Sequence, residues 1–363
     1  MTNIYHIVSN NTWGGGEQYV YDLCRRQIAD GIDVEIFCRP IEVVVEKFKE
    51  LGVGVYPLRL GGAIDLVSAW RMARIVNKSE ACYIHAHNFK DAFTAAYASK
   101  LSRGNVRVVM CRHLTRPGKT GLHYRWLYKN VEKIVMVSQV ARDTFFSTHP
   151  QIEPEKVDIV HTSIVVPSEV PSIDLRSELD IKDNRVVAMY HGRLDPEKGL
   201  DVLLDAVEKI KDKNFILALI GRGTTEYTSK LSEKIRAGKL GQRVRIMGFR
   251  HPVMPYVAVT DFGILASTVR EGCPLSPMEY MSQGHPVIAT DNGGQREYLA
   301  DGQNALLVPP NDTDALAKAM ARMIDDEELR RRLGAQAKAD FDSKLNYEQF
   351  YNQIKQIYDK SGN

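Results

Sequence analysis

No apolar run in this sequence approaches the roughly 18 residues that a membrane-spanning helix requires. The opening MTNIYHIVSNN has no basic segment ahead of an apolar stretch, so a secretory leader is not expected. Any meeting with a membrane is therefore expected to be peripheral. Cysteine is scarce as well. Cys24, Cys38, Cys82, Cys111 and Cys273 stand far apart, with no C-x-x-C pair and no metal-like spacing. That pattern excludes a disulfide scaffold and reads as reduced thiols in the cytoplasm. An excess of either charge is missing too: 48 Lys and Arg face 45 Asp and Glu, for a net charge of +3. So even a balance offers no argument for a nucleic-acid partner. Locally the distribution is less even. Between Arg103 and Lys133 there are eight Lys or Arg and one acid, Glu132.

What is present is a repeated alternation of strand-like and helix-like segments. The chain has 363 residues, beyond the roughly 250–300 at which a single core stops growing, so two domains are expected. Residues 4–9 are short and apolar and break at NNTWGGGEQ. A helical pattern on Tyr19, Val20, Leu23 and Ile28 follows, then strand-like residues 34–38. This is a βαβ unit. The rhythm continues to residue 137, which predicts a parallel sheet covered on both faces. It lapses from Ile164 to Asn184, where two prolines and many acids read as a linker. It resumes with strands at 186–190, 215–220, 243–247, 262–265 and 286–289, and the end is helical. The expectation is α/β: two doubly wound domains facing a cleft, at 1–168 and 169–342, followed by a helix within 343–363.

Ligands of such sheets sit beyond the carboxyl ends of the strands, so the loops there matter most. The first is WGGGEQ, where glycines let a backbone approach a ligand and the following helix start offers free N–H groups to phosphate. Its spacing fits neither a dinucleotide fingerprint nor a P-loop. The second is HGRLDPEKGLDVL. Arg193 stands at a strand end and Lys198 just before a helix, with Asp195 or Gly199 as its cap. Two cations there can neutralise a diphosphate without a metal. The third, REGCPLSPMEYMSQG, holds two glutamates eight apart with two prolines between them. Ser276, Pro277 and Glu279 fit a capping box. Glu271 lies in the preceding loop, where a carboxylate accepts hydrogen bonds from sugar hydroxyls.

These motifs together resemble the retaining glycosyltransferases of the GT-B fold, family 4. EGCPLSPME is similar to the family's E-x7-E, GHPVIATDNGG to its G-x-P-V-x-A strand and Gly-Gly loop, HGRLDPEKGLDVLLDA to its G-R-x4-K-G element, WGGGEQ to its N-terminal GG-x-E loop, and DGQNALLVPPNDTDALAKAM to the segment after the Gly-Gly loop. The resemblance runs in order from residue 14 to residue 320. It implies a C-terminal helix that crosses back to the first domain. It implies that Arg193 and Lys198 bind a donor diphosphate, that Glu279 holds ribose hydroxyls, and that Glu271 contacts the transferred sugar. Gly14 and Gly15 would give backbone contacts near the phosphate and reacting sugar. Gly272, Cys273, Pro274 and Leu275 would join the donor side, and His113 in CRHLTRPG would reach the donor sugar. His85 and His87 also match a family feature, and at least one of them is expected to be a satisfied core histidine.

The implied reaction is transfer of a hexose-type sugar from a nucleoside-diphosphate sugar, UDP before GDP, to a glycan or lipid-linked acceptor. Polysaccharide, lipopolysaccharide or capsule biosynthesis is the implied setting. No cofactor and no metal are expected, the nucleotide sugar being a co-substrate. The Asp-x-Asp of Asp340 and Asp342 falls in the helical end and reads as a solvated helix terminus. Pro274, Tyr280, His161 to Ile164 and Ala305 depart from the family pattern, which puts donor identity in question more than the reaction. The stretch RPGKTGLHYRWLYKN alternates cations with aromatics. It fits either contact with an anionic membrane or an ordinary amphipathic helix burying Leu122, Trp126 and Leu127. The alternatives are a nucleotide-sugar epimerase of the same fold, a phosphorylase, or a binding protein that has lost catalysis.

Overall fold

The structure, a computed structural model, describes residues 3–79 and 81–360. It divides into two units: the chain up to His161 together with the chain from Glu348, and Thr162–Tyr347.

In the first unit the order is β1 (Asn3–Val8), α1 (Gly15–Ala29), β2 (Val34–Cys38), α2 (Glu42–Lys49), β3 (Gly54–Pro57), α3 (Leu66–Val76), β4 (Ala81–Ala86), α4 (Phe89–Leu101), β5 (Asn105–Arg112), α5 (Leu122–Asn130), β6 (Lys133–Met136), α6 (Gln139–Phe146) and β7 (Val157–Ile159). The strands form one parallel sheet in the order β3-β2-β1-β4-β5-β6-β7. Strands β1, β2 and β6 are buried on both faces, which is why they read as nearly unbroken apolar runs.

The second unit holds α7 (Leu175–Glu178), β8 (Val186–His191), α8 (Leu200–Lys209), β9 (Phe215–Ile220), α9 (Thr225–Ala237), β10 (Val244–Gly248), α10 (Met254–Val257), β11 (Phe262–Leu265), α11 (Leu275–Ser282), β12 (Val287–Thr290), β13 (Ala305–Val308), α12 (Thr313–Asp325) and α13 (Glu327–Asp340). Its sheet is also parallel, in the order β10-β9-β8-β11-β12-β13. Two apolar clusters cover its two faces, one around Leu203, Leu217 and Met320, the other around Met189, Met278 and Val287. The expected two doubly wound domains are therefore present.

The boundaries differ from the expected ones. Residues 162–168 go with the second unit, because Ile164 and Val166 pack on its core and the Ser163 hydroxyl donates to the Leu345 carbonyl. The stretch from Ile164 to Asn184 is not a free linker. Leu175, Leu179 and Ile181 are buried in that core, and Asp174 caps α7. Residues 343–347 also stay with the second unit, whose core takes Leu345. The last helix, α14 (Tyr347–Lys360), belongs to the first unit from Glu348 onward, as expected of a returning helix. Residues 361–363 of the expected segment lie outside the described residues. Arg26 pairs with Glu348, and the Tyr83 hydroxyl donates to the Tyr358 carbonyl at 2.6 Å, which secures α14 there.

Candidate functional site

The second sheet reverses its strand order between β8 and β11. Loops leaving adjacent strands at such a point form a crevice. After β8 the chain makes a single 3₁₀ turn, Pro196–Lys198, whose Glu197 N–H donates to the Asp195 carboxylate at 3.0 Å. Gly199 follows at φ +70°, and a Cβ there would stand 1.9 Å from the Ala266 carbonyl oxygen, so only glycine fits. That approach stitches the loop to the one after β11, where the Thr268 N–H donates to the Glu197 carbonyl at 2.9 Å. Lys198 and Glu271 meet as a result, Nζ to Oε1 at 2.5 Å. The Ser267 hydroxyl donates to the same carboxylate oxygen.

The loop after β12 supports Glu271 from below. The Gly294 N–H donates to the Glu271 carbonyl at 3.0 Å, and a Cβ on Gly293 would stand 2.6 Å from that oxygen. The Asn292 amide donates to the carbonyls of Ser267 and Val269 at 2.9 and 3.1 Å. Loops from three strand ends therefore hold this one residue. Arg193 is different. Its side chain is 67% exposed and pairs with Asp195 at 2.9 Å, so its cation stays accessible.

Glu279 corrects the expected capping box. Helix α11 starts at Leu275 with Pro274 as its cap and no side-chain cap bond, so Ser276 caps nothing and Glu279 falls in the second turn. The Glu279 carboxylate instead pairs through Oε2 with Nε2 of His191, the last residue of β8. A carboxylate only accepts, so Nε2 of His191 carries the proton. Its Nδ1 lies 2.8 Å from the Tyr280 hydroxyl, which donates to the Met189 carbonyl at 2.9 Å. The Tyr280 ring lies where a Cβ on Gly263 would be, 2.2 Å away. Tyr280 thus fits because β11 carries glycine opposite it. Among the described residues, Oε1 of Glu279 accepts no hydrogen bond. Between the two glutamates, the Pro274 carbonyl accepts from the Tyr298 hydroxyl at 2.7 Å, and burial pushes the Cys273 thiol up to about 12. Gly272, Cys273, Pro274 and Leu275 are the backbone run that joins Glu271 to α11.

The first sheet reverses between β1 and β4. After β1, Gly14 caps α1 in an extended conformation. A Cβ on Gly15 would meet nothing within 4 Å, and one on Gly14 only the Glu17 carboxylate at 3.5 Å. Packing does not demand glycine at either place. What glycine does there is leave the helix start uncovered. After β4, the Asn88 amide donates to Asp91 at 2.6 Å and to the Ser9 hydroxyl at 3.3 Å, and burial pushes Asp91 up to about 7. After β5, His113 meets the Tyr19 ring edge-on at 4.8 Å, and desolvation lowers its pKa to about 4, so it is neutral at pH 7.

His85 is the satisfied core histidine. It is buried, with Nδ1 2.6 Å from the Tyr358 hydroxyl and Nε2 3.0 Å from the Cys111 thiol. His6, His85 and His87 bring ligating atoms within 4.8 Å of one another. The His87 ring is stacked on those of His6 and His85, and His6 is bonded to Gln27 at 2.8 Å and to His87 at 3.1 Å. The Asp-x-Asp differs in part from its expected role. Asp342 is paired with Lys338 at 2.6 Å, but Asp340 is buried and accepts from Asn304 at 2.8 Å. In α5, Leu127 is buried and Trp126 stacks on Tyr97 at 4.6 Å, whereas Leu122 is exposed.

Sequence reasoning missed His191, Ser267 and Asn292. The one signal for His191 is a polar residue closing an otherwise apolar strand. Nothing in the sequence couples it to a glutamate 88 residues away.

Residues 172–340 match the family described as Glycosyl transferases group 1, and residues 13–166 match Glycosyltransferase Family 4. The glycosyltransferase EpsD of Bacillus subtilis is 30% identical over 45% of this chain and 43% of its own length, so that match spans less than half of either protein. The alpha-D-kanosaminyltransferase of Streptomyces kanamyceticus is 25% identical over 80% of this chain and 82% of its own. A lipopolysaccharide 1,2-N-acetylglucosaminetransferase of Salmonella typhimurium is 28% identical over 52% and 53%. Among solved structures, Anabaena HepE in complex with UDP superposes with a TM-score of 0.84 at 19% identity, covering 99% of this chain and 100% of that one. No helix among the described residues is long and apolar enough to cross a membrane. With both units matched in sequence and the whole chain matched in fold, this protein belongs to the group 1 and family 4 glycosyltransferases of the GT-B type.

Proposed function

We propose that the protein transfers a hexose-type sugar from a nucleoside-diphosphate sugar, with retention of the anomeric configuration, to a glycan or lipid-linked glycan. The observation that carries this reading is the loop cluster at the β8/β11 reversal. There Lys198 meets Glu271, Arg193 keeps an accessible guanidinium, and Glu279 keeps one unengaged oxygen. Two cations and two carboxylates match a diphosphate flanked by two polyols, one the ribose and one the sugar.

In this reading Arg193 and Lys198 take the diphosphate and stabilise the charge that grows on it as the sugar leaves. No metal is required for that step. Glu279 binds the ribose, Glu271 the transferred sugar, and the backbone of Gly272, Cys273, Pro274 and Leu275 runs beside the phosphates. Within the first unit, the uncovered helix start at Gly14 and Gly15 offers backbone N–H groups to a phosphate, and the neutral ring of His113 suits a sugar hydroxyl. The bond between the anomeric carbon and the phosphate oxygen breaks as the acceptor oxygen bonds the same carbon on the same face. The acceptor's proton passes to a leaving phosphate oxygen. Among the described residues, Glu271 is engaged by Lys198 and Ser267 and Glu279 by His191, which favours this front-side route over double displacement. UDP is the favoured nucleotide and GDP the next, on the analogy of HepE, solved with UDP and with UDP-glucose. The lipopolysaccharide-directed relative supports a cell-surface polysaccharide as acceptor.

Thermal-shift ranking of UDP, GDP and ADP tests the donor base, with UDP expected to stabilise most. A larger shift with ADP would remove the base assignment. Incubation with a panel of nucleotide sugars, reading nucleoside-diphosphate release, tests transfer itself. The anomeric configuration of the product by NMR tests retention, and an inverted product would end the front-side mechanism.

A further inference from the structure

We infer that the outward face of α3, with the end of α4 beside it, is a docking surface for an anionic lipid bilayer. Helix α3 buries Ala69, Met72, Ala73 and Val76 against the first sheet's core. That stripe is what the fold needs from it. The opposite side is nevertheless apolar: Ile64, Leu66, Val67 and Trp70 are 78%, 55%, 66% and 51% exposed. A shallow hollow lined by Trp70, Ala73, Arg74, Asn77, Leu101 and Arg103 carries the patch on to exposed Leu101. Five of the eleven large apolar side chains exposed among the described residues therefore share one place. Scattered exposure needs no explanation, but clustering of this kind marks an interaction site.

The charge around the patch selects the partner. Helix α3 contains no acid, and Arg71, Arg74, Lys78, Lys100 and Arg103 are all exposed. Asp65, next to the patch, spends its carboxylate on the N–H groups of Ser68 and Gly61 at 2.9 and 2.8 Å. The Arg103 N–H donates to the Asn77 side chain at 2.7 Å, which ties the ends of α3 and α4 together. The Arg74 guanidinium lies 4.9 Å from the Trp70 ring centre. Tryptophan and aliphatic side chains beside arginines are what a headgroup layer takes in: rings and methyl groups enter, and cations meet lipid phosphates. A second copy of the chain fits poorly, since a two-fold contact would set these cations against each other. Helix α5 offers less, because its Trp126 and Leu127 are turned into the fold.

This inference does not rest on the proposed donor or reaction, and vesicle binding is read without turnover. The full chain is sedimented with phosphatidylcholine vesicles and with vesicles containing about 30% phosphatidylglycerol, and binding to the anionic vesicles only is expected. Each cation brought to an anionic surface contributes about fivefold, so Arg71→Glu with Arg74→Glu should lower binding at least ~25-fold. Val67→Ser with Trp70→Ser should lower it at least ~10-fold, with thermal stability and donor hydrolysis unchanged. Leu122→Ser with Arg125→Glu on α5 should leave it unaltered. Absence of vesicle binding overturns the inference. So does loss through the α5 variant alone, or a dimer in sedimentation velocity that Trp70→Ser dissolves. An acidic protein that binds this face while vesicles do not would overturn it equally.

Discussion

Lys198 and Glu271 illustrate how a side chain acquires a role from its partners. Neither is unusual as a residue type, yet each is four-fifths buried and bonded to the other. Lys198→Ala removes one of the two positive charges of the loop cluster and is expected to lower turnover about 10³-fold with the fold intact. Near-normal nucleoside-diphosphate release in that variant would sink the donor-site assignment. Tyr280 acts one step further out. Tyr280→Phe removes the hydroxyl that faces His191, and with it the support of Glu279. The expected result is about fivefold weaker UDP binding with pyrophosphate binding unchanged, at a stability cost of about 1 kcal/mol. Lost stability with unaltered UDP affinity would reduce Tyr280 to a packing residue.

At the scale of elements, the loops rather than the strands carry the demands. The turn between β8 and α8 needs Gly199 twice over, for its positive φ and for the Ala266 carbonyl that a side chain would strike. Gly199→Ala should therefore destabilise the second unit by about 3 kcal/mol or more and part Lys198 from Glu271. Urea unfolding and UDP titration together check this, and a stability within ~0.5 kcal/mol of the parent chain would refute it. Helix α11 makes a related point. Its start at Leu275 rather than near Ser276 moved Glu279 from a cap position to the partner of His191.

On the scale of the whole molecule, the two units should respond differently to acid. Burial lowers the pKa values of His6 and His113 to about 4, and those of His85 and His87 well below the ordinary value, all in the first unit. A ring with a depressed folded-state pKa contributes stability that is complete above about 6.5 and is lost as pH falls toward 4. Asp91, pushed up to about 7, works the other way, since its contribution is lost as pH rises from about 4 to 7. Four rings outweigh one carboxyl. Hydrogen exchange between pH 7 and 4.5 should show β1 and β4 losing protection before β8 and β11. Equal loss in both units would contradict this account.

The parallel sheets, the two-unit architecture and the loops worth inspecting were legible in the sequence, because buried strands and helix faces impose short-range periodicities. So was the placing of Arg193, Lys198 and Glu271 in loops beyond strand ends. Two strands were not legible: β7, with three residues, and β13, with four. Nor was the burial of Leu175, Leu179 and Ile181 in a stretch rich in proline and acids. Pairings across long separations belong to the tertiary structure alone. Lys198 reaches Glu271 across 73 residues, and His191 reaches Glu279 across 88. A periodicity records which face of an element is dry. Only the strand order decides which loops become neighbours, and so which charges meet.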